Sequence, residues 1–171
     1  MGDTEKERLE EAIDKNRQEI KSDRMDMSFG ELINMYEDGE LIVSPGYKRN
    51  FTWSVTNQTK FIESILIGIP FPPVFVAEYE TNIWEVVDGL QRMSTVLSFF
   101  GKLKDEKKNN LTLSEGGIIK ELDGITIDSI PLRYKLMLKR AVCRVEILRI
   151  ESGCDMKYEL LKRLNSSMSV A

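Results

Sequence analysis

The chain has 171 residues, 42% hydrophobic and 30% charged, with 24 Lys+Arg against 28 Asp+Glu for a net charge of −4. Such a composition excludes collagen-like and low-complexity classes and confines any nucleic-acid contact to a local patch. The absence of histidine excludes Ser-His-Asp and Cys-His catalysis, HExxH zinc sites and HNH-type nuclease centres within this chain.

Residues 1–24 carry eight acids and six bases around a thin stripe of Leu9, Ile13 and Ile20, the pattern of a polar helical arm standing apart from a main domain over 25–171. Ser28 and Glu31 fit a capping box for a helix that buries Leu32, Ile33, Met35 and Tyr36 and stops at Asp38-Gly39. Leu41-Ile42-Val43 reads as a short strand. Thr56 is the expected cap of a helix carrying Phe61, Ile62, Ile65 and Leu66, ended by Gly68 and Pro70. Val74 to Tyr79 and Ile83 to Val87 read as a hairpin, followed by a helix with Leu90, Met93, Leu97 and Phe100 on one face.

Lys104 to Asn110 is a solvated charge run. Pro131 opens an amphipathic helix, Ala141 to Ile150 alternates as a strand, and Asp155 to Leu164 forms a last helix. Helices and strands interleave, so the fold class is α+β, a mixed α/β arrangement. No apolar run reaches the roughly 18 residues of a membrane span. The charged N-terminus is no signal peptide. Cys143 lies in an apolar alternation and reads as a buried free thiol, so a reduced, cytoplasmic protein is expected.

The densest chemistry lies in Trp84-Glu85-Val86-Val87-Asp88-Gly89-Leu90-Gln91-Arg92-Met93-Ser94-Thr95. A strand runs through a glycine directly into a helix. A helix N-terminus presents unpaired N–H groups and about half a positive charge. Gly89 permits close approach to the backbone, and Arg92 brings a planar fork of donors. Gln91, Ser94, Thr95 and Ser98 are expected to keep the exposed flank polar. Together these residues fit a phosphate cradle. Asp88 with Gln91 three positions later equally fits an ordinary capping box beside a solvated Arg92.

Asp88-Gly89-Leu90-Gln91-Arg92 resembles the DGQQR motif of the GmrS-type family, which has a ParB/sulfiredoxin-like fold; Leu90 stands where Gln is frequent. Three further pieces follow that family's order. SPGYKRNFTW (44–53) resembles P-x-Y-Q-R-x-F-x-W, and FIESILIGIPFPPVFV (61–76) resembles L-I-E-S-I-L-x-x-x-P-x-P-P. LLKRLNSSM (160–168) resembles F-x-R-I-N-x-G-G, with Ser166-Ser167 in place of the glycine pair. The resemblance implies a domain that binds and hydrolyses nucleoside triphosphates such as GTP or UTP in antiphage restriction systems, with the DGQQR segment as nucleotide and catalytic motif. Many relatives carry a C-terminal HNH-like domain that cuts DNA. The chain stops soon after Asn165, where the family continues, so a truncated fragment of a longer protein is expected.

On that match Arg49 is a second phosphate ligand beside Arg92, stabilising charge on a transferred phosphoryl group, and Asn165 is a further site residue. Trp53 and Phe51 offer a base-stacking wall or, more simply, core packing. Glu63, in an otherwise apolar helix face, needs a cation or donors; it pairs with Arg49 or Arg92, or orients water. Asp88 and a phosphate at one helix end repel unless a cation intervenes. Hence Asp88 is expected to contact Mg²⁺ or to activate the attacking water. Residues 131–149 hold Arg133, Lys135, Lys139, Arg140, Arg144 and Arg149 against Glu146, a local patch where DNA contact is a candidate. Two rival readings remain: a ParB-like module that binds nucleotide without turnover, and a nuclease using Asp88, Glu63 and Glu85.

Overall fold

Apolar residues at period two and at period 3.6 sort this chain into one mixed sheet and the helices that cover it. The computed structural model describes residues 2–43, 51–80, 82–150, 159 and 162–164. Helix α1 (Asp3–Glu19) leads into strand β1 (Ile20–Ser28), helix α2 (Phe29–Glu37) and strand β2 (Leu41–Ile42). Helix α3 (Val55–Ile67), strands β3 (Val74–Glu80) and β4 (Ile83–Asp88) and helix α4 (Leu90–Phe99) follow. Helix α5 (Leu132–Arg140) and strand β5 (Val142–Ile150) end the described core. The fold is α+β. Among the described residues no helix is long and apolar enough to cross a membrane.

The strand order is β1-β5-β3-β4-β2. The pairs β1/β5 and β3/β4 are antiparallel; β3/β5 and β2/β4 are parallel. Parallel neighbours need a crossover, and helices supply both. The expected N-terminal arm is helical only to Glu19. Residues 20–24 instead begin β1, the edge strand, whose charged sequence hid its β character. Its pairing is written in charge: Arg24 sits opposite Glu146 at 3.2 Å, and Asp26 opposite Arg144 at 3.5 Å. Charged side chains on an edge also discourage pairing with another chain.

One face of the sheet makes the core. Cys143, Val145 and Ile147 of β5, Val74 and Val76 of β3, and Trp84 and Val86 of β4 join the buried faces of α2, α3, α4 and α5 in a single apolar cluster. Phe29, fully buried, stacks on Phe71 at 5.9 Å and meets Phe61 edge-on at 6.4 Å. Trp53 joins this aromatic group through Phe61 at 6.0 Å, so it packs against α3.

Local chemistry sets the helix ends. Ser28 Oγ accepts the Glu31 N–H at 3.1 Å, the expected cap of α2. The cap of α3 is Ser54, whose Oγ accepts the Asn57 N–H at 3.2 Å; Thr56 already lies inside the helix. Gly68, at φ +91°, ends it. Pro131 is the residue before α5 rather than its first. The expected helix over 155–164 falls largely outside the described residues.

Burial pushes the Cys143 thiol up to about 11, against the pull of the neighbouring Arg92 charge. An unfolded thiol ionises near 9.0. Between those pH values the unfolded chain has released a proton that the folded chain keeps, so stability falls as pH rises through that window. Urea melts of the wild type and Cys143→Ala should show their stability difference shrinking by about 1–3 kcal/mol from pH 9 to pH 11. A constant difference would mean that the thiol is solvated.

Candidate functional site

Strand β4 reaches α4 with one residue between them. The backbone must reverse its hand there, and Gly89 does so at φ +98°, ψ +16°. A side chain at this position would be strained, and its Cβ would lie 3.0 Å from Val74 Cγ2 and 3.3 Å from an Arg92 terminal nitrogen. Gly89 occupies the N-cap position yet offers no side-chain acceptor to the helix. The Gly89 carbonyl accepts the Met93 N–H at 3.0 Å, which starts the helical ladder.

Arg92 folds back over this turn. Its guanidinium donates to the carbonyl of Pro72, to that of Pro73 at 3.3 Å, and to Asp88 Oδ2 at 3.3 Å. The Arg92 and Asp88 side chains are only 12% and 13% exposed. Burial lowers the Arg92 pKa from its ordinary value, while the Asp88 charge opposes that shift. Arginine has five N–H donors; three are committed here, leaving two. Arg92 is therefore a half-buried, oriented cation, not the solvated arginine of the simple capping alternative. The carbonyls of Pro72 and Pro73 were not foreseen as its partners, since a backbone acceptor leaves no mark on residue type.

Gln91 faces the other side of the same turn. Its Oε1 accepts the N–H groups of Thr52 at 2.9 Å and Trp53 at 3.0 Å, and its Nε2 donates to Thr52 Oγ1 at 3.4 Å. It thereby fastens the chain three residues after Arg49 to the first turn of α4. Arg49 and Asn165 themselves lie outside the described residues.

The flank of α4 corrects one expectation. Ser94, Thr95 and Ser98 are buried, not a solvated polar face. Thr95 Oγ1 donates to the Gln91 carbonyl at 2.7 Å, and Ser98 Oγ to the Lys108 carbonyl at 2.5 Å. The 101–113 segment, whose expected charge run over 104–110 is largely exposed, meets this end of the helix, where the Asn110 N–H donates to the Ser98 carbonyl at 3.0 Å.

Glu63 also has a different role from those considered. It is 4% exposed, and its Oε2 accepts the N–H groups of Ile118 at 3.0 Å and Ile119 at 2.8 Å. It pairs with backbone donors of a loop and not with Arg92. A Cβ on Gly116 would come within 2.0 Å of that same oxygen, so the loop closes on the carboxylate because residue 116 is glycine.

Asp88 Oδ2 accepts from the Arg92 guanidinium at 3.3 Å. Among the described residues no three carboxylate or thiol groups converge as metal ligands.

The basic segment 131–149 divides in two. On β5, Arg144 pairs with Asp26, and Arg149 pairs with Glu78 at 2.9 Å and Asp23 at 3.4 Å. Arg133, Lys135, Lys139 and Arg140 of α5 have no ion pair among the described residues.

Residues 29–167 match the model of the GmrSD restriction endonuclease, N-terminal domain. The chain belongs to that family and is a domain of the restriction, antiphage type. Neither curated proteins nor solved structures gave a match.

A structural carboxylate and a catalytic one respond differently to removal. Glu63→Ala leaves two buried N–H groups unpaired and should cost about 1–3 kcal/mol in a urea melt. Its effect on triphosphate affinity should be within error. Loss of activity without loss of stability would restore Glu63 to the reacting centre.

Proposed function

We propose that this domain binds a nucleoside triphosphate, such as GTP or UTP, with its phosphates at the N-terminal turn of α4, and hydrolyses it. The observation that carries the reading is the Gly89 turn: a left-handed residue without a side chain at a helix N-terminus, with a half-buried arginine folded over it. Helix N-termini attract anions through their N–H groups and dipole. The two uncommitted donors of Arg92 meet phosphate oxygens, and the carbonyls of Pro72 and Pro73 hold the guanidinium plane while they do so.

Asp88 acts on Arg92. It compensates the arginine's burial and keeps it charged. In the reaction a water oxygen attacks the terminal phosphorus and releases a proton to solvent. The bond to the bridging oxygen breaks, and that oxygen keeps the electron pair on the departing diphosphate. Charge grows on the transferred group and on the leaving oxygen, and the helix N-terminus with Arg92 stabilises it. The resemblance of 44–53 and 160–168 to the family's motifs supports Arg49 as a second guanidinium and Asn165 as a further polar contact. No covalent nucleophile is involved.

Calorimetric titration with GTP, UTP, CTP and ATP, run beside a phosphate-release assay, tests this. Arg92→Lys keeps the charge and loses the fork, and should weaken triphosphate binding at least about tenfold, or about 1.4 kcal/mol. Wild-type affinity in a variant that melts normally would sink the reading. Tight binding without phosphate release would instead identify a nucleotide-responsive ParB-like module.

A second reading concerns DNA, and the unpaired cations of α5 favour it. Nine residues carry four positive charges and no acid, in a chain of net charge −4. Arg133 and Arg140 lie seven positions apart on one helix face. We propose that they contact duplex phosphates. The double variant Arg133→Gln, Arg140→Gln should lower the slope of log K against log salt for duplex binding by about 2. Arg144→Gln, which breaks a pair with Asp26, should leave the slope unchanged; equal slopes in all three proteins would exclude α5.

A further inference from the structure

Two helices leave apolar side chains in water. Residues 2–18, nearly all of α1, are exposed, and Leu9 and Ile13, 49% and 47% exposed, lie four positions apart on one face. On α5, Leu132, Tyr134 and Met137 are 68%, 40% and 38% exposed. Met137 lies between Arg133 and Arg140 at i, i+4 and i+7, so that face is apolar in its middle and positive on either side. We infer that the uncovered face of α5 receives helix α1 of a second copy of this chain, and that the reciprocal contact closes a two-fold dimer.

Charge selects the occupant. Helix α1 carries seven acids against four bases, whereas α5 carries four bases and no acid, and its cations have no ion pair among the described residues. Each apolar residue of the α1 stripe is followed by an acid, so Glu10 and Asp14 run beside Leu9 and Ile13. An apolar strip edged with carboxylates complements an apolar strip edged with guanidiniums. Duplex phosphates would satisfy Arg133 and Arg140 but give Leu132, Tyr134 and Met137 nothing apolar to meet. A helix such as α1 meets both needs.

Topology places the contact between molecules. Helix α1 enters β1 at Ile20, which is opposite Ile150; α5 ends beside Val142, which is opposite Ser28. The two helices thus join opposite ends of the β1/β5 ribbon, about 30 Å apart. The exposure of α1 shows that it does not cover α5 of its own chain. A helix of this length extends about 25 Å, far enough to lie on a neighbouring molecule. Under a two-fold axis the same contact forms twice, α1 of each copy on α5 of the other, and the two reinforce each other. The dimer would cover the cations that the DNA reading assigns to duplex phosphates, so dimer and duplex compete for α5; only this competition rests on that reading.

Sedimentation of the 171-residue chain over a concentration series tests the dimer, with melts and duplex DNA alongside. Wild type should associate reversibly, and more weakly as salt rises. The double variants Leu9→Asp, Ile13→Asp and Arg133→Glu, Arg140→Glu change exposed side chains only. Each should melt as wild type does and weaken the dimer at least about tenfold. Adding Glu10→Lys and Asp14→Lys to the α5 variant should restore most of the lost affinity. If either double variant fails to melt cooperatively, Ile13→Ala and Arg140→Gln decide, with losses of about threefold each. A wild type still monomeric at about 1 mM would overturn the proposal. So would a dimer that the α5 variant leaves intact, or reversed charges on α1 that rescue nothing. Duplex added to the wild-type dimer should release monomers. A dimer that survives saturating duplex would keep α1 on α5 and remove α5 from the DNA reading; a monomeric wild type that binds duplex through Arg133 and Arg140 would leave that face to DNA.

Discussion

A half-buried arginine folded over a left-handed glycine ties the sheet of this domain to its helix α4. Gly89 lets β4 become α4 without a connecting loop. The space that a side chain would occupy there is taken by Val74 and the Arg92 guanidinium. Through its three contacts Arg92 joins the entry to β3, the end of β4 and the first turn of α4. A guanidinium removed from water is unfavourable unless its donors are met and its charge is balanced. Two prolyl carbonyls and Asp88 meet both conditions and still leave part of the fork uncommitted. The same arrangement that stabilises the junction thus holds the Arg92 cation in one orientation.

Charge elsewhere in the molecule follows a division between pairing and display. The arginines of the sheet are matched across strands, Arg24 with Glu146, Arg144 with Asp26, Arg149 with Glu78 and Asp23. Exposed pairs of this kind contribute little energy, with a median of about 0–1 kcal/mol; their main effect is on register, since a one-residue slip of β1 would part Arg24 from Glu146 and Asp26 from Arg144. The cations of α5 have no such partners among the described residues. A chain with more acids than bases nevertheless keeps four positive charges together on one short helix, which concentrates its attraction for polyanions at one surface.

Much of the fold was legible because the relevant signals are local. Ser28 before Phe29, Gly68 after Ile67, the Val74–Val87 hairpin and the alternation around Cys143 all report their structure through immediate neighbours. The Asp88–Arg92 turn was legible for the same reason. β1 was not, because its charged residues read as a helical arm and its strand character comes from β5, more than a hundred residues away. The burial of Ser94, Thr95 and Ser98 was hidden likewise: it depends on elements remote in sequence or structure, as where Ser98 meets Lys108 and Asn110. Glu63 was recognised as needing donors, but those donors are backbone N–H groups of Ile118 and Ile119, which leave no trace in residue type.

Helix α4 is accordingly read best as an element with two tasks along its length. At its first turn Gly89 lets Val74 and the Arg92 guanidinium pack against the backbone, and Gln91 ties the 52–53 segment to the same turn. Beyond that turn its hydroxyls serve the fold: Thr95 Oγ1 donates to the Gln91 carbonyl and Ser98 Oγ to the Lys108 carbonyl. Loss of either hydroxyl should therefore act on stability, whereas changes at the first turn act on how β4, the 52–53 segment and α4 are held together.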